Sequence, residues 1–482
     1  MNTTADTKAP RGAPMGSLVR PGIEFEATPA VVPPTPHAWW TLRRAAASLG
    51  EVLIHGPRLD DRALSGVATD TRHLSAGALF VALRGPRFDA HDLLAAAREA
   101  GAAAVVVDDP SRAAGLGLPV LVVRDTREAL GRLARGWRRA WGGTVIAVGG
   151  SNGKTSTKEL LRAALGGALE VHATRANDNN LIGVPLTLLA VPPHAHVAVV
   201  EVGTNAPGEI AALRTICEPD IALITSIGEE HLEGLGDLDG VLREEASLLD
   251  GAPLAVIPDQ PTVLHDEAVR RARTLVPEDA ELQASLADDG RVVLRAQDHE
   301  VTLPLRGAHQ ADNARLALRV ARALGVPWVT ALDGLAGMSV PAMRGEWRQL
   351  GALTLINDAY NANPPSMRSA LALLGTVGAG RRRIAVLGTM RELGAHADAL
   401  HDDIARAALA LPIDAIVAVG EFAAAFARVA PGDARVHTAP DAESAWPVLA
   451  PLLTADAVVL LKASRGVQLE RLLPFLESRA TP

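Results

Sequence analysis

Residues 144–160, TVIAVGGSNGKTSTKEL, run an apolar stretch into a Gly-rich turn and then into a helix-compatible segment opened by Lys-Thr. A strand must deliver such a turn and a helix must leave it, so the segment predicts an α/β sheet with ligands gathered at the strand ends. A strict phosphate-binding loop carries another Gly five residues before Gly153, where this chain has Val148. The physics survives the missing glycine. Gly150, Ser151, Asn152 and Gly153 can turn backbone N–H groups onto phosphate oxygens, and the following helix N-terminus favours anions. Lys154 would neutralise the β- and γ-phosphates, and the Thr155 hydroxyl would ligate Mg²⁺.

The surrounding pattern agrees with that loop. Short apolar runs such as GALFVAL and AAAVVVDD alternate with Ala/Leu/Arg helical stretches such as HDLLAAAREAGA, the signature of an α/β unit. After the Gly-rich loop, strands resume at VAVVEVG, which ends on Glu201, and at IALITSIG, which leads to His231 in EEHLEG. Three loops therefore converge on one crevice. Residues 251–306 are more irregular, and GRVVLRAQ and EVTLPLRG suggest a small antiparallel excursion before the helix ADNARLALRVARALGV. The chain restarts with LGALTLINDAY, RRRIAVLGTM, AIVAVG and AVVLLKAS, four strands of a second doubly wound unit. A length of 482 residues accommodates three α/β domains. The expected boundaries are a mobile extension over 1–36, an N-terminal domain over 37–142, a central nucleotide-binding domain over 143–338 and a C-terminal domain over 339–482.

Composition excludes several classes. A net charge of −8 argues against broad nucleic-acid binding. The single cysteine, Cys217, leaves no internal disulfide and no Cys-based zinc site. No apolar run approaches the roughly 20 residues that span a bilayer, and the first residues lack a secretory pattern, so a cytoplasmic protein without membrane insertion is expected.

The motifs together resemble the Mur ligase family of ATP-dependent amide-forming enzymes. Its short Gly-x-x-Gly-Lys-Thr/Ser loop is the form seen here, and its Asn-rich segment is matched by NDNNLIGVPLTLL, with Asn179 and Asn180. Its acidic metal ligand is matched by Glu201, its metal-binding histidine by His231, and its adenine-side segment by GAHQADNARLAL, with His309 and Asn313. The stretch INDAYNANPPSM, together with VLGTMRELG and LLKASRG, most resembles the family member that joins D-alanyl-D-alanine to UDP-N-acetylmuramoyl-tripeptide. TDTRHLSAGALFVALRGPRFDAHD resembles the segment that recognises the UDP-sugar.

The resemblance implies three α/β domains, ATP with two Mg²⁺, and small-molecule substrates, in a monomer. The ATP contacts it implies are Gly150 to Ser156, His309, Asn313, Arg344 and Asp358, with metal ligation by Thr155, Glu201 and His231 and catalysis involving Lys154, Glu201, His231 and Glu245. Thr69, Asp70, Thr71, Arg72, Asp89 and His91 would meet the UDP end, with Asn179 and Asn180 as further substrate contacts. Tyr360, Asn361, Asn363, Lys462, Ser464 and Arg465 would meet the dipeptide.

Some positions depart from the family pattern. Members commonly carry a carbamylated lysine fourteen residues after the histidine, where this chain has Glu245. A carboxylate can replace a carbamate, so Glu245, or its neighbour Glu244, is expected to take that role; a solvated helix face is the alternative. Ala463 and Ala90 each replace a family glycine. Two other functions stay open at this level: a different amide ligase of the family, adding a diamino acid or a folate glutamate, and a nucleotide-binding relative without catalysis.

Overall fold

In a computed structural model, residues 40–50 and 52–480 are described; the extension expected over 1–36 lies outside them. The first unit is a five-stranded sheet in the spatial order Leu53–His55, Val120–Val122, Ala104–Val107, Leu79–Val81 and Val67–Ala68, parallel except at its first strand. The helix Thr126–Trp141 leaves this sheet. Its start is set by Asp125, whose carboxylate accepts the N–H groups of Arg127 and Glu128, and its end by Gly142 at φ 71°. Leu130, Leu133 and Trp137 bury one face of this helix in the N-terminal core, while Arg138 reaches the central unit. The Arg138 guanidinium donates to the Cys217 and Glu218 carbonyls and pairs with Asp220 at 2.8 Å.

The central sheet is wholly parallel, in the order Leu254–Val256, Ile221–Ile224, Thr144–Gly149, Val197–Glu201 and Val171–Ala173. Its strands read as unbroken apolar runs because helices cover both faces. Ile146, Val148, Val197, Val199, Ile221 and Leu223 point to one core, with the helices Lys154–Gly166, Ala308–Ala323 and Trp328–Ala336. Val145, Ala147, Ala198, Val200, Ala222 and Ile224 point to the other, with Gly183–Leu189 and Glu209–Cys217. The antiparallel excursion is a three-stranded sheet of Leu282–Leu286, Arg291–Ala296 and His299–Arg306, whose apolar side joins the first of these cores.

The C-terminal sheet has six strands, not four, in the order Glu346–Leu350, Leu353–Asp358, Val458–Lys462, Arg383–Gly388, Ala415–Val419 and Val436–Ala439. The two strands missed by sequence reading are its edges. EWRQL and VHTA are partly exposed and mixed in polarity, so neither carries the apolar run that marks the inner strands. No helix among the described residues is long and apolar enough to cross a membrane.

Candidate active site

The Gly-rich turn joins the central strand Thr144–Gly149 to the helix Lys154–Gly166. Its shape requires glycine at two positions, Gly150 at φ 111° and Gly153 at φ 87°. The loop is braced from the next strand by residues the sequence reading did not single out. Thr225 Oγ1 donates to the Gly149 carbonyl at 3.1 Å and lies 2.5 Å from the Asn152 carbonyl. Ser226 accepts the Asn152 N–H at 2.9 Å, and Ser151 Oγ accepts the Gly228 N–H at 2.9 Å. The polar TS pair after an apolar strand was the available signal.

A cavity of about 730 Å³ opens over this loop, between the central and C-terminal sheets. Its walls include Ser151 to Ser156, Asn179, Asn180, Glu201, His231, His309 and Asn313 from the central unit, and Arg344, Asp358, Tyr360, Asn361 and Lys462 from the C-terminal unit. The fold thus gathers residues more than three hundred positions apart in the chain. Lys154 Nζ lies 2.5 Å from the Gly150 carbonyl and 3.6 Å from Glu230. Burial disfavours its charge, but Glu230, Glu245 and Glu201 outweigh this and hold its pKa above the ordinary lysine value. Glu230, absent from the sequence expectations, is itself pushed upward by burial.

Thr155 and Glu201 fit an oxygen-ligated cation. Thr155 Oγ1 and Glu201 Oε2 are buried without a hydrogen-bond partner, whereas Glu201 Oε1 accepts from Asn179 Nδ2 at 3.0 Å. The buried Lys158 ammonium stands 3.9 Å from Glu201 Oε2 and donates to the Thr174 carbonyl at 2.9 Å. Among the described residues no group of three or more His, Cys, Asp or Glu is placed to hold a metal. A hydroxyl with one carboxylate is nevertheless a usual protein share for magnesium, which keeps waters and phosphate oxygens as its other ligands. His231 shares the cavity, but its Nδ1 lies 2.5 Å from Glu392 of the C-terminal unit, so only Nε2 is open to another partner. Burial lowers the pKa of His231, and the close contact with the Glu392 carboxylate together with the charge of Glu230 more than reverses this.

On the C-terminal wall, Lys462 is buried, pairs with Asp358 at 2.7 Å and donates to the Asn361 carbonyl at 2.9 Å. The Arg344 guanidinium stacks 4.0 Å above the Tyr360 ring. Asn180 lines the cavity while its Oδ1 accepts the N–H groups of Ile182 and Gly183 where the helix Gly183–Leu189 begins. His309 is half-buried, and its desolvation favours the neutral form.

Several expected contacts are placed differently. Glu245 does not line the cavity. It is wholly buried behind the loop, where its Oε2 accepts the Gly150 N–H at 2.7 Å. That bond also takes the Gly150 N–H away from any phosphate. Glu244 is likewise turned from the cavity and accepts the N–H groups of Gly208 and Ile210 at 2.7 and 2.8 Å. Neither glutamate lies on a solvated helix face. Asn363 is the N-cap of the helix Pro364–Val377 and forms a capping box with Ser366. Ser464 is buried and accepts the Arg391 N–H at 2.9 Å. Arg465 pairs with Glu470 at 3.1 Å outside the cavity.

The N-terminal residues lie on their own sheet, away from the cavity walls. The exposed Arg72 holds the Asp70 carboxyl down to about 2 by hydrogen bonding, and Asp70 also caps the turn that carries Thr71. Thr69 directly precedes them, half-buried. His91 is a structural residue: Nδ1 lies 2.6 Å from Asp89, and Nε2 accepts the Asp108 N–H at 3.3 Å. Both ring nitrogens are used, leaving Asp89 as the more accessible partner of the pair.

Glu245 gives a pH prediction. Burial, opposed by Lys154, pushes its pKa from 4.5 to about 7. A carboxyl whose folded pKa is raised contributes stability below its unfolded value and loses it as pH rises through the folded one. Glu245→Gln keeps an acceptor for Gly150 without the charge. Its Tm should therefore exceed that of the wild type at about pH 8, and the difference should close by about pH 5. Equal Tm differences at both pH values in a thermal melt would contradict the assignment.

The fold and cavity define a P-loop nucleotide-binding α/β protein whose site is completed by a second doubly wound unit. Family models match three stretches: the "Mur ligase family, catalytic domain" over 63–138, the "Mur ligase middle domain" over 148–321 and the "Mur ligase, glutamate ligase domain" over 343–465. The chain belongs to the Mur ligase family. It is 34% identical over 454 residues to a UDP-N-acetylmuramoyl-tripeptide–D-alanyl-D-alanine ligase of Bacillus subtilis, covering 90% of this chain and 98% of that one. The Escherichia coli enzyme of the same name is 34% identical, over 87% of this chain and 95% of its own. A crystal structure of MurF from Acinetobacter baumannii superposes with a TM-score of 0.82 at 31% identity, covering 92% of this chain and all (100%) of that one. MurF from Thermotoga maritima in complex with ADP superposes with a TM-score of 0.76 at 26% identity, over 86% and 97% of the two chains.

Proposed function

We propose that this protein is the ATP-dependent ligase that joins D-alanyl-D-alanine to UDP-N-acetylmuramoyl-tripeptide in peptidoglycan precursor synthesis. The observation that carries the reading is the shared cavity, in which the Gly-rich loop faces Arg344, Asp358, Tyr360 and Lys462 of the C-terminal unit. The near full-length likeness to ligases of that name supports it. It carries the expectation of a monomeric cytoplasmic enzyme whose first unit, 37–142, binds the UDP end, whose second, 143–338, binds ATP, and whose third, 339–482, brings the dipeptide.

A carboxylate is a poor electrophile, so the tripeptide carboxylate first attacks the γ-phosphorus of ATP. The bond to the β–γ bridging oxygen breaks, ADP departs and an acyl phosphate remains. The dipeptide amine, having lost its ammonium proton, attacks the acyl carbon. The resulting tetrahedral centre sheds the second amine proton and expels phosphate, which carries that proton away, as the amide forms. Both steps build charge on phosphoryl and acyl oxygens, so fixed cations and N–H donors supply most of the rate. Lys154 and the N–H groups of Gly153 to Ser156 at the helix start hold the triphosphate, since the Ser151 and Asn152 N–H groups are spent on Ser226, and His309 and Asn313 meet the nucleoside side. Arg344 and Asp358 meet ATP from the opposite wall, while Tyr360, Asn361 and Lys462 position the dipeptide. Magnesium, held by Thr155 and Glu201, would neutralise phosphate charge; from His231 a second ion would draw on Nε2. A cavity closed by two units also keeps water from a hydrolysable acyl phosphate.

The test is phosphate release with ATP, magnesium and UDP-N-acetylmuramoyl-tripeptide, with and without D-alanyl-D-alanine. Release that depends on the dipeptide, with the pentapeptide product seen by mass spectrometry, is the expected result. Release driven instead by a diamino acid or by glutamate with a folate would replace this reading with another ligase of the family.

A further inference from the structure

Two non-glycine residues at the seam between the central and C-terminal units have left-handed backbones, His231 at φ 50° and Glu392 at φ 65°. A side chain with a Cβ disfavours that region, and it persists where the surroundings over-determine it. Here it brings the two side chains together, with Glu392 Oε2 2.5 Å from His231 Nδ1. The loop that carries Glu392 is pinned residue by residue. The Met390 N–H donates to the buried His401 Nε2 at 3.0 Å, and the Arg391 N–H to the buried Ser464 Oγ at 2.9 Å. The Glu392 carbonyl then accepts the Glu233 N–H across the seam at 3.1 Å. Leu232 and Leu235 of the central unit pack in the same apolar cluster as Met390 and Leu393. His231 lines the nucleotide cavity, whereas Glu392 does not and lines a groove on the C-terminal unit.

Two lone pairs would repel at that distance, so the Nδ1–carboxylate contact holds a proton and Nε2 is left for the cavity, where Glu230 stands 3.7 Å away. We infer that Glu392 is a positioning residue of the amide-forming site, supplied by the C-terminal unit to fix the tautomer and orientation of His231. The central site is then complete only when the C-terminal unit is docked. This links the domain contact to catalysis through one side-chain contact, and it rests on the ligase reading above.

The experiment compares the full chain with E392A, E392Q, H231A and the E392A/H231A double variant in the dipeptide-dependent phosphate-release assay. H396A is the control, since His396 bridges the same seam to the Gly236 carbonyl at 3.2 Å and is exposed. E392A should lower kcat by about tenfold or more with the KM for ATP within about twofold, and E392Q, which keeps an acceptor oxygen, should recover part of it. E392A should add nothing in the H231A background, because its effect passes through that ring. Multiplicative effects of E392A and H231A, or a loss in H396A equal to that in E392A, would reduce Glu392 to ordinary interface packing and overturn the proposal. So would a kcat for E392A within about twofold of wild type. A wild-type protein with no dipeptide-dependent release would instead sink the ligase reading. If E392A fails to fold, E392Q in wild-type and H231A backgrounds gives the same cycle.

Discussion

Lys154→Met is expected to lower the turnover of dipeptide-dependent phosphate release by about 10²- to 10³-fold, the range seen when one preorganised charge-stabilising group is removed from an active site. The ammonium is part-buried beside the loop, 2.5 Å from the Gly150 carbonyl and 3.6 Å from Glu230. Nothing else on the loop carries a positive charge. A methionine fills the same volume, so the loss reports charge rather than packing. Removing it also leaves Glu230, Glu245 and Glu201 without the cation that offsets them, and a lower Tm should accompany the lost rate. Lys154→Arg should not rescue turnover, because a planar fork does not fit a site shaped for a compact ammonium. Turnover above about a tenth of wild type in Lys154→Met would show that the loop binds phosphate through its N–H groups alone.

Gly150→Ala is expected to weaken ADP binding by about a hundredfold, measured by calorimetry, from strain of a few kcal/mol in a loop that has no room to relax. A Cβ at Gly150 would stand 2.5 Å from Thr225 Oγ1, 2.7 Å from the Thr225 nitrogen and 2.9 Å from the Ser226 nitrogen. Two of those three are backbone atoms, and φ 111° is itself hostile to a side chain. The loop must therefore shift and surrender the Glu245 hydrogen bond. Gly166→Ala is the control at the far end of the same helix, where a Cβ meets nothing within 4 Å. It should leave ADP affinity unchanged and slightly raise stability. Equal ADP affinity in the two variants would contradict the observed loop shape.

Much of the site was readable because its chemistry is local. Gly150 to Thr155 sit at a strand–helix junction, and the turn, the helix start and the anion preference all arise within a few residues. Glu201 was legible for a related reason: a lone carboxylate ending an apolar strand needs a partner. The C-terminal edge strands were not legible, since edges carry no continuous apolar run. Asn363 and Ser464 were expected at substrate from the family resemblance; their partners in the fold are Ser366 and Arg391, so that one caps a helix and the other pins a loop. His91 shows the same limit, because a ring satisfied by Asp89 and Asp108 reads in sequence like one that is free.

Glu245 marks the boundary most sharply. By itself the sequence determined that an acidic residue occupies this helix position, and that a strand, a Gly-rich loop and a helix form the phosphate cradle, because those depend on neighbours in the chain. Only the tertiary structure decided which way the carboxylate faces. It packs behind the loop and accepts the Gly150 N–H, ninety-five residues away, rather than opening into the cavity. The tertiary structure likewise joined His231 to Glu392, since side-chain partners across a domain seam are set by how sheets dock and leave no periodic trace along the chain.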